Sequence, residues 1–479
     1  MAPRWEPRCM AHLQLIRLKK DEEDGRLELV TDGGTPKHDC ESDSSESNHC
    51  DEVLDEFVGL SCQMRWGLRC LGCCGCCCCA ILVSAVVLFG WVGYSLVSKA
   101  CQRANAQDPY ITPVQFPRQS GCGGCKAGNK TDAELSECIT PCYNLTMVNY
   151  WQDLAERYGY KLVYFPSRSG PRGEAPVNIS AWWLPAPPRG GRPAPRVVVF
   201  HGLGSNSNHC GVQSACFLLR MVGFSCLTPS ARDWGLSGQS DHPEIMTWAY
   251  DYHLDVLGSW DYAVNDPDGV LGGPLPPSKV GVMGFSKGAY EAGVAFGLEQ
   301  RIPGAWLDSA PFTGLYGSIQ DTVGGILGPG VARLATPVAF LSAQIFSGRR
   351  VDVFNPVELM ANCTNSGTSQ RRHVTIAHSS LDKTVDPSVA SDAIELLSGL
   401  PECYEVRVFM PPEFCNGNTH HQETWEFPDD TRKKFCSFWS DTFHEDRKLC
   451  GLTSLPNFQL WSPSTELPPG SQSVDELFR

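Results

Sequence analysis

Between Cys76 and Val97 the chain reads CCCCAILVSAVVLFGWVGYSLV, without one charged residue. As a helix this run of about 22 residues is ~33 Å long, enough to cross the hydrocarbon core of a bilayer. A hydrocarbon interior leaves unpaired backbone groups no partner, so the run must be helical there and it divides the chain into two compartments. It lies behind a charged leader and far from Met1, unlike a cleavable signal peptide. The expected span is 73–98, a signal anchor, with a buried soluble helix as the alternative. Trp91 and Tyr94 suit an interface.

Basic residues do not orient the span, because Arg65 and Arg69 before it balance Lys99 and Arg103 after it. Four N-x-S/T sequons, at Asn129, Asn144, Asn178 and Asn362, all follow it. Asparagines of this kind are modified in secreted or lumenal segments, so the reading is a single-pass type II glycoprotein whose larger, carboxyl-terminal part is lumenal or extracellular. Residues 1–72 carry acidic runs such as HDCESDSSESNHCDEVLDEF and are expected to be a disordered cytosolic segment. The net charge of −14 argues against nucleic acid as a partner.

Cysteines fall into two groups. Cys73, Cys74 and Cys76 to Cys79 sit at the cytosolic edge of the span, where S-acylation and simple apolar packing are both open readings. Cys122, Cys125, Cys138 and Cys142 mark 99–150 as a Cys-rich stalk, for which disulfides are preferred over a zinc module. Cys403, Cys415, Cys436 and Cys450 are candidates for further bridges.

From Tyr160 onward, short apolar runs alternate with helical stretches. YKLVYFPS, VNISAWWLPA, RVVVFHG, FSCLTPSAR, KVGVMGFS, IPGAWLDSAP, RHVTIAHS and YEVRVFMP read as strands. This alternation predicts an α/β domain over 151–450, with a mainly parallel sheet and helices on both faces. The tail 451–479 is rich in Pro and Ser and is expected to be irregular.

The stretch KVGVMGFSKGAY sets Ser286 between a buried strand and a helix, inside a G-x-S-x-G pattern. Gly284 and Gly288 would remove the Cβ atoms that clash in so sharp a turn. A nucleophilic serine needs a base, and the base needs an orienting acid. Asp382 follows the strand VTIAHS, and the doublet His420–His421 follows YEVRVFMP. The chain order is therefore Ser, Asp, His, each after a strand. Asp386 and Asp308 are alternative acids.

These stretches resemble the α/β-hydrolase superfamily over Tyr160 to His444. VVVFHGLGSNSN is similar to its HG-containing oxyanion loop, PSARDWGLSG to its Arg-Asp-x-Gly-x-Ser loop, and LDKTVDP to its acid loop. THHQETW resembles the histidine stretch of membrane-anchored α/β-hydrolase-domain proteins. The resemblance implies Ser286 as nucleophile and Asp382 as acid. Alignment on Trp425 implies His421 as base, with His420 the alternative. The N–H groups of Leu203 and Lys287 would form the oxyanion hole. Arg232 and Asp233 are expected to brace their loop, and the Lys287 side chain is either ion-paired or solvated, or a contact for an acidic substrate group. The apolar segment at about 313–350 would be a short helical cap over a small-molecule or lipid-like acyl substrate. The resulting expectation is a membrane-anchored serine hydrolase that needs no cofactor or metal and cleaves an ester, thioester or amide. A peptidase or acyltransferase of the same fold and a non-catalytic binding ectodomain are the competing readings.

Overall fold

The computed structural model describes residues 17–20, 27–30, 83–99 and 145–447, the last with breaks at 159, 172, 189–190, 364–370, 412–419, 422–423 and 425–427. Met1–Trp91 and Val92–Arg479 are two separate units. In the first, β1 (Arg17–Lys20) and β2 (Leu27–Val30) form an antiparallel pair. That segment is expected to be disordered; RLKK and LELV, outside the run HDCESDSSESNHCDEVLDEF, form the pair. Helix α1 covers residues 83–97, and residues 73–82 of the expected span lie outside the described residues. Among the described residues no helix is long and apolar enough to cross a membrane.

An eight-stranded sheet organises the second unit. Its strands are β3 (Lys161–Pro166), β4 (Asn178–Leu184), β5 (Arg196–Phe200), β6 (Ser225–Pro229), β7 (Val280–Phe285), β8 (Gly304–Asp308), β9 (Arg372–Ala377) and β10 (Tyr404–Phe409). They lie in the order β10-β9-β8-β7-β5-β6-β4-β3. Only the β3/β4 and β4/β6 pairs are antiparallel. Each of the eight runs read as a strand is one, and the sheet is mainly parallel, as the alternation of strands and helices predicts. Strands β5, β6, β7 and β8 are buried at every position, as expected of parallel strands covered on both faces.

The chain leaves β5 for β6 on one side, then returns across β5 to β7. The crevice at the carboxyl ends of β5 and β7 is thus a topological switch point, where open α/β sheets bind ligands. Helices α4 (Ala249–Asn265), α5 (Lys287–Leu298), α8 (Pro356–Ala361) and α9 (Ser388–Ser398) pack on one face with Trp260, Phe296 and Leu397. Helices α2 (Leu145–Arg157), α3 (Cys210–Met221) and α10 (Pro428–Phe443) cover the other through Trp151, Phe217 and Trp439. Helices α6 (Gly314–Leu327) and α7 (Pro329–Ser347) fall within the segment expected as a cap.

Two boundaries differ from the sequence reading. Helix α2 begins at Leu145, inside the segment assigned to the stalk, because Trp151, Leu154 and Ala155 supply an apolar face for the Phe217 side of α3. The Trp151 and Phe217 rings stack 5.4 Å apart. Val97, Ser98 and Lys99, assigned to the span and stalk, are buried in the sheet domain's own fabric. Among the described residues the disulfides Cys216–Cys226 and Cys363–Cys403 are formed, and Cys436 is disulfide-bonded as well. Cys403 and Cys436 were among the expected cysteines, but partners Cys363, Cys216 and Cys226 were not. Cys122, Cys125, Cys138, Cys142, Cys415 and Cys450 lie outside the described residues.

The fully buried Trp151 ring makes a prediction for the new boundary. Trp151→Ala leaves a large cavity beside Phe217 and is expected to destabilise the domain by about 3–5 kcal/mol. Urea unfolding of the detergent-solubilised chain reads this, and a loss below about 1 kcal/mol would make α2 peripheral to the domain.

Candidate active site

Ser286 stands between β7 and α5 with φ 51° and ψ −117°, a conformation costly for a residue with a Cβ. Its N–H donates to the Asp308 carbonyl at 2.7 Å, and its own carbonyl accepts from Tyr290 N–H at 3.0 Å, so both sides hold the turn. A Cβ on Gly284 would lie 2.3 Å from the Gly288 carbonyl oxygen. One on Gly288 would lie 2.4 Å from the His201 carbonyl oxygen. Backbone cannot yield there, so both glycines are required by close approach.

The histidine loop after β10 brings His420 to this serine. His420 Nε2 is 2.9 Å from Ser286 Oγ, and Nδ1 is 2.7 Å from Asp382 Oδ2. The acid's other oxygen accepts from the N–H groups of Thr384 at 2.8 Å and Val385 at 3.1 Å. Burial alone would raise the Asp382 carboxyl, but its bonds to His420 and the Thr384 amide hold it below the usual carboxylate range. Asp382 is thus fixed as an acceptor, which leaves the Nδ1 proton on His420 facing it and Nε2 facing the serine.

His421, preferred in the sequence alignment, does not take that place. Consecutive side chains in a turning loop point to different sides, and His421 is itself in the left-handed region at φ 42°. Its ring centroid lies 5.9 Å from that of Phe285 and 5.8 Å from that of His209. Burial and the neighbouring His420 push its pKa well below the ordinary value, and its Nδ1 is buried without a hydrogen-bond partner. It is a neutral wedge behind the loop. Trp425, which governed the alignment, lies outside the described residues. Thr424 hydroxyl accepts from Ser214 Oγ at 2.9 Å and donates to the Gly211 carbonyl at 3.2 Å, pinning the loop to α3.

The loop after β5 runs beside the serine. A Cβ on Gly202 would be 3.6 Å from both Ser286 Cβ and His421 Nε2, so the loop passes there without a side chain. His201 Nε2 accepts from Ala231 N–H at 3.1 Å and Nδ1 donates to the Gly202 carbonyl at 2.8 Å, which fixes its tautomer. Leu203 follows in this loop, and Lys287 opens α5, where helix geometry leaves the amide without an internal partner. These are the two amides expected at an oxyanion hole.

The Lys287 side chain turns into the core instead of toward a substrate. It pairs with Glu291 and lies 3.8 Å from the Tyr252 ring centroid. Burial pushes the Glu291 carboxyl up to about 7. Arg232 and Asp233 brace their loop as expected: Arg232 forks onto Asp255 at 2.7 and 2.9 Å, and Asp233 accepts from Ser240 and Lys99. Asp386 caps the start of α9 through Ser388 N–H at 2.8 Å, and Asp308 accepts from Ser309 Oγ at 3.0 Å. Neither stands in Asp382's place. Sequence reasoning passed over His378, which is fully buried 3.4 Å from Asp382 Oδ2 and donates to the Val385 carbonyl at 3.1 Å. A histidine closing an apolar strand carries no signal that separates this position from ordinary core. Among the described residues no His, Cys, Asp and Glu group could hold a metal ion. An open polar cavity of about 380 Å³, lined by Arg232, Asp233, Tyr252 and Arg349, contains none of Ser286, Asp382 and His420. Asn178 and Asn362 are exposed, whereas Asn129 and Asn144 lie outside the described residues.

Burial holds His201 down to about 3 and His209 to about 4, and lowers His378 and His421 as well. In the unfolded chain these imidazoles take protons below about pH 6.5. The unfolded state therefore binds more protons across roughly pH 4–6.5, and stability must fall as pH drops through that window. Glu291 opposes this with one proton, because its folded form keeps a proton above about pH 4.5 that the unfolded chain releases. Asp382 adds a further loss only at lower pH, as it is protonated. Burial also raises the Asp255 carboxyl, which opposes the histidines, and lowers His373, which adds to them. The net expectation is a stability rising with pH by on the order of a few kcal/mol per unit near about pH 5.5, read from urea midpoints. A flat or falling profile there would mean that these histidines are not held neutral.

No protein-family model matches the chain, and no curated protein matches it. Among solved structures the chain is similar to the Pyrococcus furiosus esterase Pf2001, at 19% identity and a TM-score of 0.43 over 60% of this chain and 93% of that one. It is similar to Est1E of Butyrivibrio proteoclasticus with ferulic acid bound, at 13% identity and a TM-score of 0.38, over 59% and 100%. A third is the Pyrococcus horikoshii acylaminoacyl peptidase, at 14% identity and a TM-score of 0.41, over 62% and 44%.

Proposed function

We propose that this chain is a membrane-anchored serine hydrolase that cleaves an acyl ester, thioester or amide through a covalent acyl-enzyme. The observation that carries the reading is the hydrogen-bonded line Ser286 Oγ, His420, Asp382, with the serine on a strained turn at the switch point.

In this mechanism Ser286 Oγ attacks the acyl carbonyl as its proton passes to His420 Nε2. Asp382 keeps the imidazole in the right tautomer and stabilises the imidazolium that forms. The N–H groups of Lys287 and Leu203 face the developing oxyanion, each contributing about 3 kcal/mol at the transition state. His420 then hands the proton to the leaving alcohol, thiol or amine. Water, deprotonated by the same nitrogen, releases the acid and restores the serine. The carboxylic ester is the preferred substrate because the segment beyond β8 supplies an apolar cap, α6 and α7.

The anchor and a lumenal or extracellular site belong to the same proposal. They are supported by the uncharged run Cys76–Val97, which α1 completes, by the exposed sequons Asn178 and Asn362, and by the disulfides Cys216–Cys226 and Cys363–Cys403. Such bridges persist in oxidising compartments.

A fluorophosphonate probe tests the chemistry. It should label the wild-type chain, while Ser286→Ala and His420→Ala should label at least ~1,000-fold more slowly. His421→Ala should keep labelling within about tenfold, since it acts only by packing. Loss of labelling in His421→Ala with retention in His420→Ala would reverse the assignment of the base. No labelling of folded wild type would favour the binding ectodomain.

A further inference from the structure

Helix α7 is built inside out. Its buried face is made mostly of small residues, Ala332, Ala335, Ala339 and Ala343, with Phe340 the one large side chain among them. Its outward face carries the large ones: Val331 is 41% exposed, Leu334 78%, Leu341 59% and Ile345 70%. With half-buried Val338 these stand at intervals of three and four residues, one stripe about 21 Å long. Leu327 at the end of α6 and Phe346 extend it. A helix facing water has the opposite arrangement, so something apolar covers this face.

The carboxyl-terminal end of α1 packs against this helix. A Cβ on Gly93 would lie 2.0 Å from the Ala339 carbonyl oxygen, so the two helix backbones touch. The Tyr94 ring meets Phe346 edge-on at 5.0 Å. Trp248 Nε1 donates to the Leu96 carbonyl at 2.9 Å, Met246 N–H to Val97 at 2.7 Å, and Lys99 N–H to Glu244 at 3.0 Å. Lys99 Nζ pairs with Asp233 at 2.5 Å. The segment that completes the uncharged run is therefore locked to the edge of the α7 stripe without slack. Arg333 and Arg350 are exposed at either end of the helix, where phosphate headgroups would lie.

We propose that the outward face of α7 lies in the phospholipid leaflet that α1 enters, so that the cap is a second membrane contact of this chain. The inference rests on the anchor reading. A bilayer that holds the run before Val92 reaches a helix that touches Gly93 and Tyr94, and it covers the stripe with the apolar environment the stripe lacks.

The test uses the full chain in dioleoylphosphatidylcholine vesicles, with p-benzoylphenylalanine introduced in turn at Leu334, Leu341 and Leu298. Leu298 is 44% exposed at the far end of α5 and serves as the apolar surface control. Irradiation should give lipid adducts several-fold more abundant at positions 334 and 341 than at 298, scored by mass spectrometry. Equal yields at all three positions would overturn the contact. Chain-to-chain adducts at 334 and 341 in place of lipid would assign the stripe to a second copy and overturn it too. An alkaline carbonate wash of the same vesicles reports the anchor separately. A chain that washes off overturns both readings, whereas one that stays without the lipid adducts overturns the α7 contact alone. Neither readout depends on the serine's reactivity.

Discussion

Everything at the site depends on two backbones approaching where no Cβ can stand. Gly288 brings α5 against the carbonyl of His201 and Gly284 brings β7 against the carbonyl of Gly288, each with under 2.5 Å to spare for a side chain. The reversal this permits forces Ser286 to a positive φ, at a cost of order 1–3 kcal/mol that the surrounding sheet must absorb. It does so through fully buried neighbours on both faces and through the Ser286 and Tyr290 amide bonds. The same reversal orients the first amide of α5 beside the loop that follows β5. Position and polarity are thus consequences of one packing constraint.

A second coupling runs from that helix outward. Tyr290, one turn after Ser286, packs in a cluster with Trp234, Trp248, Leu315, Phe340 and Val97. Helices α6 and α7, the loop after β6 and the segment leaving α1 therefore share apolar contacts with the helix that starts at the serine. Below it Lys287, Glu291 and Tyr252 form a buried polar layer in which every charge is matched, as burial demands.

The fold was legible because its strands are continuous apolar runs that admit few alternatives to burial in a parallel sheet. The elbow glycines and Asp382 were legible for the same reason: they close such runs. Helix α10 was harder, since PDDTRKKFCSFWSDTF mixes charge with scattered aromatics, and its inward face shows only once Trp439 and Phe443 find the sheet. Helix α2 was obscured by the cysteines and sequons before it. The histidine doublet could not be resolved by counting from Trp425, because loop backbone angles, and not spacing, decide which ring turns to the serine. Disulfide partners are likewise set by three-dimensional proximity: Cys363 and Cys403 are separated by 40 residues yet flank one end of β9 and β10.

The register of the central strands bears on how such a site can change. Phe200 pairs with Gly284 across β5 and β7, so the loop carrying Leu203 and the turn carrying Ser286 leave neighbouring strands at one level. Their relation is frozen into the ladder and cannot drift without unzipping the middle of the sheet. His420 stands instead beyond the edge strand β10, bonded to Asp382 and Ser286, and Thr424 shortly after it is bonded to α3. Variation is therefore partitioned. The turn that holds Ser286 is fixed by the centre of the sheet, whereas His420 stands beyond its edge, where change need not disturb the core.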